Sequence, residues 1–77
     1  MSSVMAIIPK RVQMTHEGVK YSIEFQVDAP VDKQWMWTIQ FVRYGVTHPF
    51  RGHAKSEQQA IHKARRKIEE LNERWAQ

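Results

Sequence analysis

Residues 56–77 constrain the fold more than any other segment, because their apolar residues recur at helical spacing. Such a spacing puts the apolar side chains on one face of an amphipathic helix, which needs a partner surface to cover it. The sequence therefore predicts a helix over residues 56–75 that packs on the rest of the chain. The residues of the apolar face are Ile61, Ala64, Ile68, Leu71 and Trp75.

The residues before this helix alternate between apolar and polar side chains, which is typical of half-buried β-strands. The alternation predicts strands over residues 19–27, 34–42 and 46–54. Phe50 is expected to face inward in the last of these, with Arg51 and His53 facing outward. The inward-facing residues of the first two strands are Val19, Tyr21, Ile23, Phe25 and Val27, then Trp35, Trp37, Ile39 and Phe41.

Glycine and proline mark the predicted turns and edges. Gly18 suits a three-residue hairpin turn over residues 16–18, and Gly45 suits a tight reversal over residues 43–45. Pro49 lacks the N–H group that an inner strand needs, so the strand over residues 46–54 is expected to lie at a sheet edge or to be interrupted at Pro49. Gly52 and Ala54 are small enough to lie beneath a closely packed helix.

These patterns together predict an α+β fold in a single domain over residues 1–77. The sheet, residues 10–54, is a three-stranded antiparallel meander, or a four-stranded one if residues 10–15 pair with the next strand. The helix, residues 56–75, covers one face of the sheet. Residues 1–9 are expected to be extended or frayed.

Composition narrows the classes of function. The chain has 77 residues, no cysteine and a net charge of +4. It has no apolar stretch long enough to span a bilayer, so we expect a cytoplasmic protein without membrane contact. No nucleophile turn, phosphate loop or carboxylate pair is recognisable, and the histidines lie on separate elements without metal-ligand spacing. We therefore expect no enzyme activity, no cofactor and no bound metal.

The polar side of the sheet carries the residues that we expect to contact a partner. It is rich in amides and hydroxyls, and amide and arginine side chains can read base edges in a major groove. Phosphate contacts by lysine and arginine would supply most of the affinity. The leading hypothesis is a small nucleic-acid-binding or regulatory accessory protein that contacts DNA or RNA. Its expected contact residues are Lys20, Gln40, Arg51 and His53 on the sheet, with Arg43 and Lys55 at the rims.

A second hypothesis explains the same polar residues as an ordinary solvated strand surface. The protein would then be an interaction module or a homodimer without nucleic-acid binding. Pairing at an unprotected sheet edge, or contact through leftover apolar residues, would join the partners. The candidate interaction residues are Met36, Val42, Trp75 and the apolar run over residues 4–8.

The predicted helix has a basic cluster that also has two interpretations. Lys63, Arg65, Arg66 and Lys67 could contact phosphates. They could equally form a solvated helix face, because glutamates one turn further along are spaced to pair with them.

Residues 35–71 resemble two kinds of DNA-binding module. The segment has a strand that opens with Trp35, a turn over residues 43–45, a second strand, and the helix start over residues 55–60. This order is similar to the three-stranded-sheet-plus-helix modules of plant ethylene-response factors and of the arm-binding ends of tyrosine recombinases, which lay the sheet in the major groove. The resemblance implies nucleic-acid binding through the sheet, although the chain has fewer outward arginines than those modules.

The join between the last strand and the helix also resembles the C-terminal half of a double-stranded-RNA-binding domain. Ala60 and Ala64 would face the sheet, as in that family. The chain differs from the family at residues 56–59, which lack the lysines that would grip phosphate, and no helix is predicted before the sheet.

Overall fold

A computed structural model describes residues 11–75, which form one antiparallel sheet and one helix. The sheet order is β1-β2-β3-β4, so the predicted α+β class is confirmed with residues 11–16 as the additional strand. Residues 1–9, for which we expected an extended or frayed conformation, lie outside the described residues. The elements are β1 (Arg11–His16), β2 (Val19–Phe25), a 3-10 turn (Val31–Lys33), β3 (Trp35–Arg43), β4 (Val46–Ala54) and α1 (Glu57–Arg74).

Two tight turns of the same kind join β1 to β2 and β3 to β4. Glu17 and Gly18 have φ angles of 50° and 80°, and Tyr44 and Gly45 have 54° and 75°. Two successive residues with positive φ define a type I′ turn, whose twist matches that of the flanking strands. The predicted three-residue turn over residues 16–18 is therefore wrong, because His16 belongs to β1 and pairs with Val19.

The helix packs on the face of the sheet that carries the alternating apolar residues. Ile23, Ile39 and Ile68 are the largest fully buried side chains, and they join β2, β3 and α1. Ala60 and Ala64 are also fully buried, and their small size lets the helix approach the sheet closely. β2 ends at Phe25. Val27, which we expected to face inward, therefore lies beyond the strand and is 57% exposed.

Ser56 caps the helix as its sequence pattern predicts. Its Oγ accepts a hydrogen bond of 3.1 Å from the Gln59 N–H. The Gln59 side chain accepts from the Lys55 N–H at 2.9 Å, one residue before the position that a standard capping box uses. Both bonds lie where β4 ends and α1 begins, and they satisfy main-chain N–H groups at that junction.

Gly52 makes room for a side chain of the neighbouring strand, whereas we expected it to make room for the helix. A Cβ atom on Gly52 would lie 2.4 Å from Cζ2 of Trp37, which is far inside van der Waals contact. The glycine therefore makes room for an indole ring of the neighbouring strand, and Ala54 is the small residue that is buried in the core.

The β1–β2 hairpin is tied to the helix by polar contacts. His16 Nε2 lies 2.9 Å from Glu69 Oε2, and Arg65 Nε donates to His16 Nδ1 at 3.3 Å. Asn72 Nδ2 donates to the Glu17 side chain at 3.1 Å. These contacts hold the β1–β2 hairpin against the middle and the C-terminal half of α1.

Within α1 itself, Glu70 pairs with Lys67 at 3.3 Å.

Within residues 11–75, no helix is both long and apolar enough to cross a membrane.

Candidate nucleic-acid interface

The helix covers one face of the sheet, and no described element covers the other. We call this uncovered surface the outer face. Alternation along each strand sends every second side chain to it. Its residues are Arg11, Gln13 and Thr15 on β1, Lys20, Ser22 and Glu24 on β2, Met36, Thr38, Gln40 and Val42 on β3, and Thr47, Pro49, Arg51 and His53 on β4.

The strand register arranges these side chains in rows across the sheet. One row runs Gln13, Ser22, Thr38 and Arg51, and the row beside it runs Thr15, Lys20, Gln40 and Pro49. Hydroxyl and amide groups therefore occupy the middle of the outer face, on the two central strands. A depression of about 10 Å³ at this place has room for a single water molecule at most.

Cations lie on both edge strands and near the centre of the outer face. Arg11 is on β1, Arg51 is on β4, and Lys20 is on β2; all three are exposed. Glu24 is the one carboxylate among the described residues of this face, and it lies opposite Arg11 in the register. Since adjacent strands are about 4.8 Å apart, the two arginines are carried by strands about 14 Å apart.

The structure brings together four of the six predicted nucleic-acid-binding residues. Lys20, Gln40, Arg51 and His53 are all exposed on the outer face. Lys55 follows β4 directly, at the same end of the sheet as His53, and is also exposed. The first four residues share one surface that crosses β2, β3 and β4, and Lys55 lies at the end of β4 next to it.

Arg43 does not join that surface. It is half-buried on the helix side, where its guanidinium carbon lies 5.9 Å from the Trp75 ring and 5.3 Å from the Tyr44 ring. Its Nε is buried and has no hydrogen-bond partner among the described residues. The alternation that puts Phe41 inward also puts Arg43 inward, so the parity of the strand could have located it.

Sequence reasoning missed the contribution of β1 to the outer face. Gln13 and Thr15 extend the two polar rows by one strand, and Arg11 adds a cation opposite Glu24. The signal was present, because Val12 and Met14 alternate with these polar residues just before the Glu17–Gly18 turn.

The candidate residues of the interaction hypothesis do not form one patch. Met36 is half-buried on the outer face between Glu24 and His53 in the register. Val42 is 60% exposed on the outer face near the Tyr44–Gly45 turn. Trp75 lies on the opposite side of the sheet, stacked on His48 with ring centroids 6.1 Å apart. The run over residues 4–8 lies outside the described residues.

Aromatic side chains are concentrated on the helix side of the sheet. Trp35 and Trp37 pack against the core, and Trp35 contacts Phe25 with ring centroids 5.1 Å apart. No described residue of the outer face is Phe, Tyr or Trp. The His53 imidazole is therefore the one ring of the described outer face on which a base could stack.

Among residues 11–75, the fold brings together one cluster of metal-binding residue types. The ligand atoms of His16, Glu17 and Glu69 lie within 4.8 Å of one another. Arg65 donates to the same imidazole, and its positive charge opposes a metal cation at this place. The cluster is therefore a set of polar contacts that joins the β1–β2 hairpin to the helix.

Searches of protein-family models, curated proteins and solved structures found nothing that matches this chain.

Proposed function

We propose that the protein binds duplex DNA through the outer face. The observation that carries the proposal is a sheet face that no described element covers, with hydroxyls and amides on its central strands and an arginine on each edge strand. Ser22, Thr38 and Gln40 would contact base edges, while Arg11 and Arg51 would reach phosphates on the two sides of the groove. Lys20 adds a third cation within the same surface.

The described outer face has one exposed aromatic ring, the His53 imidazole, and no Phe, Tyr or Trp, which favours a duplex over a single strand. Proteins that hold single strands without sequence preference stack bases on aromatic side chains, and sheet-based RNA readers do the same. Here the tryptophans face the helix instead.

The groove dimensions of the two kinds of duplex favour DNA over RNA. The major groove of B-form DNA is about 12 Å wide and admits a two-stranded ribbon such as the β2–β3 pair. The major groove of A-form RNA is too deep and narrow for side chains to read. A chain without cysteine suits a reducing compartment, so we place this activity in the cytoplasm.

The helix surface is a weaker candidate for phosphate binding. Its cations are interspersed with Glu69, Glu70 and Glu73, and Lys67 is already paired with Glu70. Two of its cations also serve the fold, because Arg65 bonds His16 and Lys63 donates to the His53 carbonyl at 3.2 Å.

The test compares two double variants of equal net charge by fluorescence anisotropy on a mixed-sequence DNA duplex. Lys20→Ala with Arg51→Ala removes two cations from the outer face, and the control, Arg66→Ala with Arg74→Ala, removes two from the exposed helix surface. We expect the first variant to lose at least tenfold in affinity and the second to change little.

Equal losses in the two variants would contradict the outer face as the contact surface. The same duplex sequence as RNA, and the single DNA strand, are expected to bind more weakly than the DNA duplex. Tighter binding of the single strand would contradict the duplex assignment.

A further inference from the structure

The two edges of the sheet differ in how far they are protected from pairing with another strand. In a two-residue hairpin the residues that flank the turn form a hydrogen-bonded pair, and this pairing alternates along the strands. Arg43 and Val46 flank the Tyr44–Gly45 turn, so Thr47, Pro49, Arg51 and His53 direct their main-chain groups away from β3.

The β4 edge is blocked at two of these positions. Pro49 has no N–H to offer, and the His53 carbonyl already accepts a hydrogen bond from Lys63. Proline in an edge strand and covering of an edge by a helix are both known devices against edge-to-edge association.

The β1 edge has no such protection among the described residues. His16 and Val19 flank the Glu17–Gly18 turn. The same alternation therefore directs the main-chain N–H and C=O groups of Arg11, Gln13 and Thr15 away from β2, in the plane of the sheet. The strand contains no proline, glycine or bulge. A side-chain contact also links β1 to β2, since the Tyr21 hydroxyl donates to Met14 Sδ at 3.6 Å.

We propose that β1 pairs antiparallel with β1 of a second copy, with Gln13 on the twofold axis. In this register the main-chain N–H and C=O groups of Gln13 form a hydrogen-bonded pair with those of Gln13 of the second copy. Arg11 lies opposite Thr15 of the second copy, so the two arginines are kept apart. On the helix side, Val12 lies opposite Met14 of the second copy, and both are half-buried apolar residues in the monomer.

The pairing produces a closed dimer with one continuous sheet of eight strands. A twofold axis perpendicular to the sheet keeps both helices on one side and both outer faces on the other. Growth stops at two copies, because only the blocked β4 edges remain at the ends. The inference does not require nucleic-acid binding, and its test contains no nucleic acid.

The first test uses the absence of cysteine from the chain. Hydrogen-bonded partners in an antiparallel pair have Cα atoms about 5.5 Å apart, within the range that a disulfide spans. Gln13→Cys should therefore give a covalent dimer under mild oxidation. Thr15→Cys is the matched control, because its copy would lie about 13 Å away, four residues along the strand. A mixture of Arg11→Cys and Thr15→Cys should crosslink as a heterodimer.

The second test is sedimentation equilibrium of the unmodified chain over increasing concentration. We expect the average mass to rise from 9.2 kDa toward twice that value. Gln13→Pro removes a main-chain N–H that points away from β2 and takes no part in the β1–β2 pairing. This variant should therefore have an unchanged circular dichroism spectrum but should no longer form the dimer. Thr47→Pro makes the same change at the β4 edge and should keep the dimer.

Each alternative result overturns the inference. A constant mass of 9.2 kDa, species larger than a dimer, or equal crosslinking of Gln13→Cys and Thr15→Cys would each do so. Loss of the dimer in Thr47→Pro and its retention in Gln13→Pro would assign the interface to β4. If Gln13→Pro does not fold, the crosslinking pattern decides.

Discussion

The indole ring of Trp37 lies against Gly52 on the neighbouring strand, in the space where any other residue would carry its Cβ atom. The nearest ring atom, Cζ2, is 2.4 Å from that position, and Nε1 is 2.9 Å from it. The partly buried Trp37 belongs to the edge of the core. One glycine thus decides how a large side chain of β3 packs between the helix and β4.

Gly52→Ala should lower the free energy of unfolding by about 1 to 3 kcal/mol, because the added methyl group overpacks the contact with Trp37. Urea denaturation followed by circular dichroism measures this loss. Trp37→Leu should be destabilising alone but should cost less in the Gly52→Ala background than in the unmodified protein. Strict additivity of the two changes would show that the ring does not cause the loss.

Ile68→Ala should cost about 2 to 5 kcal/mol, because Ile68 is fully buried between the helix and the sheet and its truncation leaves a cavity. Arg66→Ala, two residues away on the exposed side, should change stability by less than about 0.5 kcal/mol. Thermal unfolding of both variants provides the comparison. Similar melting temperatures for the two would mean that the helix does not pack through this face.

Ser56→Ala should destabilise the protein by about 1 kcal/mol, since the Gln59 N–H loses its acceptor at the start of the helix. Ser56→Asp should retain most of the stability, because aspartate also caps helices. Gln58→Ala is the control, as Gln58 is exposed within the first turn. The cap has no energetic role if Ser56→Ala and Gln58→Ala unfold at the same urea concentration.

His16 and Glu69 should show a coupling of about 0.2 to 1 kcal/mol in a double-mutant cycle, the range for exposed charged or polar pairs. His16 Nε2 and Glu69 Oε2 are 2.9 Å apart, although the two residues are separated by 53 positions in the chain. The cycle combines His16→Ala, Glu69→Ala and the double variant, measured by urea unfolding. Zero coupling would assign the attachment of the hairpin to Asn72 and Glu17 instead.

Removal of one phosphate contact should reduce the salt dependence of DNA binding by about one unit in the slope of log affinity against log salt. We expect this change for Arg51→Ala and for Lys20→Ala. Gln40→Ala should leave the slope unchanged and alter the preference among DNA sequences, because an amide contacts base edges rather than phosphates. Binding titrations between low and moderate salt measure both effects. A smaller slope in Gln40→Ala would remove the distinction between the two kinds of contact.

The sequence was sufficient for most of the fold because the signals are local. The period of two in β2 and β3 and the helical spacing of Ile68 and Leu71 depend on neighbours within a few residues. Ser56 and Gln59 likewise mark the helix start from four adjacent positions. The same parity places Arg43 on the helix side, so its side of the sheet could be predicted from the sequence.

The candidate site was only partly accessible from the sequence. Lys20, Gln40 and Arg51 were expected on one surface because they alternate with apolar residues in separate strands. Their arrangement in rows, and the addition of Arg11, depend on the pairing of β1 with β2. Pairing registers follow from turn geometry, and the turn at Glu17 is one residue shorter than its sequence indicated.

The amino-acid sequence by itself determined which side chains share a face, because strand and helix periodicities are properties of the local backbone. The tertiary structure alone decided that Glu69 meets His16, that Trp37 occupies the space above Gly52, and that Lys63 covers the edge of β4 at His53. These contacts join residues that are distant along the chain or on different elements. They depend on where the helix crosses the sheet, and burial of the whole apolar core sets that position.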